Sequence, residues 1–499
     1  MLLIMWIYDG IFASTKKRCM SEQSKNLKKY IIPAMLANVS FFILTIIDGM
    51  FVGNGVGTDA LGAVNLALPF VMIINVFAVL FNIGGITVTA IRMGRGDIEG
   101  ANQAFLHSLT YNVCFALCMT FIGTVFPDKI AVLLGANQTY KEMVSDYIFW
   151  YSVFILPACL FYCFNGFARN DGNPQMSIKV ALTCMIVNII GDWITVYPLQ
   201  MGVKGAAIAT GVASCAAFLV ASTHYWQKKG NLRVRPFKVQ FVLLRKILLR
   251  GLPEMISETS VPLTAFSMNY MLITYLGNAS VNAFSAINYT CSLFASLMWG
   301  LATGLQPLYG LSYGAKDDYS LHYYFRSGRR IALIGGLAIF ALTFVIGAPI
   351  CRLFGVDAAS TPIVIASLPK FCLNFVFAAM STVVSAYLYS TKRTQYAIPL
   401  NICRGVIFNV LCINTLPLIF GYDFVWYSMA VAEAICLILA IVLQKMSEKN
   451  GIIYNKTSNL NDNESESYWL ISQYYDPVCL WQRSDATGTG ATISCNPGK

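Results

Sequence analysis

The chain has 499 residues, 57% hydrophobic and only 12% charged, with a mean hydropathy of +0.60. A soluble globular chain carries about 25% charged residues, so too few are present here to cover a water-facing surface; this excludes a secreted, cytosolic or disordered protein and makes a multi-span membrane protein the default. The balance is basic, 35 Lys and Arg against 24 Asp and Glu for a formal +11, and the position of those charges decides what they mean.

Taken in chain order, the first twenty residues resemble a weak signal peptide. They lack basic residues ahead of the apolar stretch, and Met20 is an alternative start. Apolar runs then fall at about 31–52, 62–90, 103–126, 147–168, 175–197 and 205–226. After a basic stretch, six more follow at about 252–275, 281–311, 331–348, 361–390, 396–420 and 424–444. Each is long enough for a helix to cross a hydrocarbon core of about 30 Å. Alternating patterns are absent, and a helix satisfies its own backbone in lipid. The expected fold is therefore an all-α integral membrane protein of twelve transmembrane helices. Residues 446–499 turn polar, with NDNESES and DATGTG, and are expected to be disordered.

The basic residues orient these spans. With both termini inside, the inner loops and tails hold 29 of the 35, and the outer loops keep only Lys129, Lys141, Lys204 and Arg352. Lys370 and Arg404 fall within spans. The positive charge is thus a topology signal, and nucleic-acid binding is the weaker reading. The halves also repeat. A shift of 220 residues places Pro33 on Pro253, Gly57 on Gly277, Gly84 on Gly304, Gly94 on Gly314 and Asp97 on Asp317. Six spans per copy is even, so both copies enter from the same side, as in parallel-repeat transporters. The expected organisation is an N-terminal cytoplasmic extension over 1–29, a first lobe over 30–226, a basic cytoplasmic linker over 227–250, a second lobe over 251–445 and the tail over 446–499.

Of the fifteen cysteines most lie scattered singly in apolar runs, there is no CxxC pair, and the three histidines are far apart. The cysteines read as small buried hydrophobes rather than metal ligands. No GxxxxGK[ST], GxSxG or HExxH occurs, so neither an ATP-driven motor nor a conventional hydrolase is supported. The expectation is that the protein is not an enzyme and needs no cofactor.

A charge inside a span is costly, so each needs a reason. At about 1.5 Å of rise per residue, Asp48 lies roughly 27 Å from the inner face, Asn188 about 18 Å, Asp192 about 24 Å and Thr210 about 21 Å. Four oxygen-bearing side chains thus share one level of the first lobe, and Asn188 and Asp192 share a helix face. Two carboxylates in one poorly solvated site cannot both be ionised cheaply. Such a pair suits holding a proton, or, with the Asn and Thr oxygens, a hard cation such as Na⁺; the bland alternative is that they cap or cross-link helices. Glu258, near the inner face of span seven, either attracts a cationic substrate or sits among headgroups. Glu433 has Arg404 as its available partner, and Lys370 is free to snorkel outward. Pro33 and Pro157 lie where proline permits a bend.

The run IIPAMLANVSFFILTIIDGMFVGNGVGTDALGAVNLALP, with GNPQM at 172–176, NIIGD at 188–192, GVKGAAIAT at 202–210 and GLPEMISE at 251–258, resembles the MATE family (multidrug and toxic compound extrusion) over about residues 25–445. The match is closest to the bacterial branch whose cation site lies in the N-terminal lobe. The resemblance implies that Asp48, Asn188, Asp192 and Thr210 form that site, and that Pro33 is the proline at which the first helix bends. It also implies an antiporter of a cell membrane that takes in H⁺ or Na⁺ and exports cationic, lipophilic compounds, working as a monomer in the bilayer. Span ten carries Lys370 and no acid, and Glu258 falls several residues before the span-seven glutamate of other branches, so a second-lobe cation site is not expected. The rival functions are a flippase for a lipid-linked precursor, which requires arginines lining the cavity, a lipid-acting membrane enzyme and an ion channel.

Overall fold

The computed structural model describes residues 19–458 other than 137, 354 and 355. The signal-like residues 1–18 and the polar stretch 459–499 lie outside the described residues. Every regular element among the described residues is helical. The first half comprises α1 (Cys19–Gly55), α2 (Thr58–Gly94), α3 (Ile98–Val125), α4 (Pro127–Leu133), α5 (Gln138–Val153), α6 (Ile155–Asn170), α7 (Met176–Val196) and α8 (Gly202–Trp226). The second comprises α9 (Phe241–Tyr275), α10 (Asn278–Gly314), α11 (Asp318–Leu353), α12 (Thr361–Cys372), α13 (Asn374–Ser390), α14 (Thr394–Ile402), a π-helical turn (Cys403–Phe408), α15 (Asn409–Phe420) and α16 (Val425–Ser458).

Among the described residues nine helical segments are long and apolar enough to cross a membrane. A tenth span is broken: α5 and α6 meet at 49°. Pro157, third in α6, has no N–H to return to Val153, which explains why the helix is interrupted there. The remaining two spans are α9 and α10, which are long enough but richer in Ser, Thr, Asn and Tyr. The architecture is the expected twelve-span helical membrane fold in two repeated halves.

Three boundaries differ from expectation. The expected linker over 227–250 ends at Gln240, because α9 already begins at Phe241. The first helix starts at Cys19 rather than near residue 30. At the other end, α16 runs through 446–458, so that part of the expected disordered tail is helical.

The repeat is visible in local geometry. Gly57 and Gly277 both have positive φ, 124° and 78°, and precede α2 and α10, a conformation glycine adopts without strain. Asp97 caps α3 by accepting from the Gly100 N–H at 2.8 Å. Its counterpart Asp317 accepts from Ser320 N–H at 3.0 Å.

The halves meet backbone to backbone, as small residues permit in helix packing. A Cβ on Gly94 would overlap the Leu311 carbonyl oxygen, and one on Gly314 would overlap that of Ile91. Under the 220-residue shift these two contacts exchange, as a pseudo-twofold relation requires. Elsewhere, Gly84 abuts Ile247 and Gly251 abuts Leu80, joining α2 to α9. Gly300 and Gly304 of α10 press against the α1 backbone at Met35 and Ile31, on either side of Pro33.

Candidate functional site

The geometry begins with a close helix pair. Gly191 lies between Asn188 and Asp192, and a Cβ there would stand 3.0 Å from the Ala209 Cβ. That absence of bulk lets α7 lie on α8, and Asn188 Nδ2 donates to Thr210 Oγ1 at 3.2 Å. The same helix α7 also packs on α1, which delivers Asp48. The Asp48 and Asp192 carboxyl groups lie within hydrogen-bonding reach of each other. Asp192 is 0% exposed and Asn188 1%.

The four residues grouped by depth are therefore brought together, and their chemistry is one-sided. Asp48 Oδ1, Asn188 Oδ1 and both carboxylate oxygens of Asp192 are buried with no protein donor among the described residues. Carboxylate and amide oxygens only accept, so two carboxylates that touch cannot satisfy each other until a proton or a cation joins them. The set fits a proton or a hard cation held by oxygen.

Pro33 is not at this site. It lies fifteen residues from Asp48 in an unbroken helix, about 22 Å along the axis, and the residues flanking it, Ile31 and Met35, meet the α10 glycines. Glu258 belongs to a different place as well. It is near enough to Tyr162 of the first half for the two to interact electrostatically, and that ring is 45% exposed and 6.1 Å from Phe41. A carboxylate near exposed aromatic rings is a combination that attracts organic cations.

Two residues were missed from sequence. Tyr147, on α5, is buried and close enough to both Asp48 and Asp192 to sense their charge. Glu254, one turn before Glu258, is buried and accepts from Trp299 Nε1 at 2.7 Å. The expected partners Arg404 and Glu433 do meet: Arg404 Nε donates to Oε1 at 2.9 Å and Oε2 at 3.1 Å, and Nη1 donates to Thr382 Oγ1 at 2.7 Å. Ser381 Oγ completes the Glu433 carboxylate at 3.1 Å. Lys370, half-buried, stands over the Tyr427 ring at 5.7 Å. The list of basic residues buried in helices also gains Arg169 at the end of α6, whose Nε has no partner among the described residues.

The repeat supplies an internal comparison. Shifted by 220, Asp48, Asn188, Asp192 and Thr210 fall on Met268, Phe408, Cys412 and Ala430. The second half keeps the scaffold and fills the equivalent place with sulfur and hydrocarbon. No cluster of three or more His, Cys, Asp or Glu suited to a metal occurs among the described residues.

The family model MatE matches residues 33–194 and again 253–413, more than half of the chain. The chain belongs to the MatE family. The two matches begin 220 residues apart, the interval found in the sequence. MatE members are transporters, so this chain is a transporter rather than an enzyme. It is 25% identical over 445 residues to the multidrug export protein MepA of Staphylococcus haemolyticus (strain JCSC1435), covering 87% of this chain and 96% of that protein. The fold resembles an outward-facing multidrug resistance MATE family transporter of the MOP superfamily, with a TM-score of 0.81 at 23% identity over 85% of this chain and 96% of the other. It also resembles a MATE in its bent conformation, at a TM-score of 0.80 and 22% identity over 88% and 97% of the two chains.

Proposed function

We propose that this MatE chain is a secondary antiporter that exports cationic, lipophilic compounds in exchange for H⁺ or Na⁺ by alternating access, as a monomer in the plasma membrane with both termini cytoplasmic. The observation that carries the reading is the set of buried, donor-free oxygens on Asp48, Asp192 and Asn188. A proton placed there converts one carboxyl into a donor, turning an acceptor–acceptor contact into a hydrogen bond. Na⁺ would join the same oxygens as ligands. Either event draws α1 toward α7. Because α1 is in backbone contact with α10 at Gly300 and Gly304, a bend at Pro33 reaches the other half directly. Glu258 near Tyr162 offers the exported cation its position, and the multidrug export relatives support a drug-like cargo.

The test is efflux of a fluorescent cation from everted vesicles under separately imposed proton and sodium gradients. Export is expected under one of them and absent in Asp48→Asn at unchanged membrane content. Transport under neither gradient, or an unchanged rate in that variant, overturns the reading. Arg169, buried with its Nε unpartnered among the described residues, favours the second reading, a flippase for a phosphate-bearing lipid-linked precursor. It predicts precursor translocation that Arg169→Gln abolishes.

A further inference from the structure

The segment between α8 and α9 carries Lys228, Lys229, Arg233, Arg235 and Lys238, and the sequence from Trp226 to Arg250 contains no acidic residue. A loose loop of this composition would need no explanation beyond topology. This one is fastened down. Asp171 accepts from Asn231 N–H at 2.7 Å and Leu232 N–H at 3.1 Å, and is itself held by His224 Nε2 at 3.0 Å. Asn102 Oδ1 accepts from Arg233 N–H at 2.7 Å, and His107 Nε2 accepts from Gln240 N–H at 2.8 Å. Leu232 is fully buried, and the Phe237 ring lies 4.7 Å from that of His107. Arg235 is paired with Glu99.

The strap is thus bound along its length to the end of the first half, and the side chains it does not use for fastening point away from the protein. Lys228, Lys229 and Lys238 are exposed and have no acidic partner among the described residues. Trp226, Val234, Val239 and Phe241, interleaved with them, are each more than half exposed. Both ends of the strap run into long helices of the membrane fold, so these groups stand where hydrocarbon gives way to water.

We propose that this strap is a preformed docking surface for anionic phospholipid headgroups of the leaflet against which it lies. Fixed lysines meet the phosphates, and the apolar side chains and Trp226 enter the headgroup boundary, as aromatic and basic residues do at membrane interfaces. Nucleic acid or an acidic protein would answer the charge but not the interleaved apolar residues.

The experiment uses the full-length protein in neutral detergent and follows its thermal unfolding midpoint against short-chain phosphatidylglycerol, the matching phosphatidylcholine, and inorganic phosphate. Only phosphatidylglycerol should raise the midpoint, and added salt should weaken the effect. In K228Q/K229Q/K238Q the half-effective concentration should rise about a hundredfold, three lysines each contributing about fivefold near an anionic surface. K228R/K229R/K238R should retain the wild-type response, which separates charge from folding. An equal response to phosphatidylcholine or to phosphate, or an undiminished one in the glutamine variant, overturns the proposal.

Discussion

At the scale of single residues, two kinds of buried charge stand in contrast. Glu433 and Arg404 complete each other with Ser381 and Thr382, whereas Asp48 and Asp192 are two acceptors left facing each other. Removing one member of a completed pair strands the other: Arg404→Ala is expected to destabilise the protein by about 3–5 kcal/mol, seen as a lowered unfolding midpoint. The combined R404M/E433L variant should recover most of that loss. A double variant as unstable as the single one would show that the ion pair is not the cause. The oxygens of the first half were legible in the sequence because counting rise per residue along apolar runs places each side chain at a depth. Tyr147 was not legible, since α5 begins at Gln138 among polar residues and hydropathy starts the span too late. Glu254 was hidden for the same reason: with α9 starting at Phe241, it lies well inside a helix that the apolar run begins near residue 252.

At the scale of elements, the site depends on a missing side chain. Gly191→Leu would drive α7 from α8 at Ala209, separating Asn188 from Thr210, and is expected to abolish transport while the other helices hold. Gly191→Ala asks for only a few tenths of an ångström and should be partly active. Efflux measured on both variants checks the order, and full activity in the leucine variant would contradict it. Helix breaks were partly readable: Pro157 marked the α5–α6 bend, but nothing in the run 396–420 announced the π-helical turn that carries Arg404. Such a turn arises from packing, here of Gly405 against Ser260, and π-turns recur at functional positions.

At the scale of the whole molecule, the pseudo-twofold contact at Gly94 and Gly314 closes the two halves on the side where the linker lies. Gly94→Leu, whose Cβ would overlap the Leu311 carbonyl oxygen, is expected to keep the halves from closing here and to stop export at unchanged membrane content. Export at the full rate in that variant would show that this contact is not needed in the cycle. The repeat itself was legible, because turns and close crossings demand glycine and proline at fixed intervals. What the interval alone could not convey is that the two copies have diverged in chemistry within the same framework.

That divergence has an electrical consequence. If export exchanges one proton for one monovalent cation, a single ion-holding copy moves no net charge per cycle, and the membrane voltage does no work on the exchange. Transport would then follow the pH difference alone, and a potassium–valinomycin potential imposed without a pH gradient would leave it unchanged.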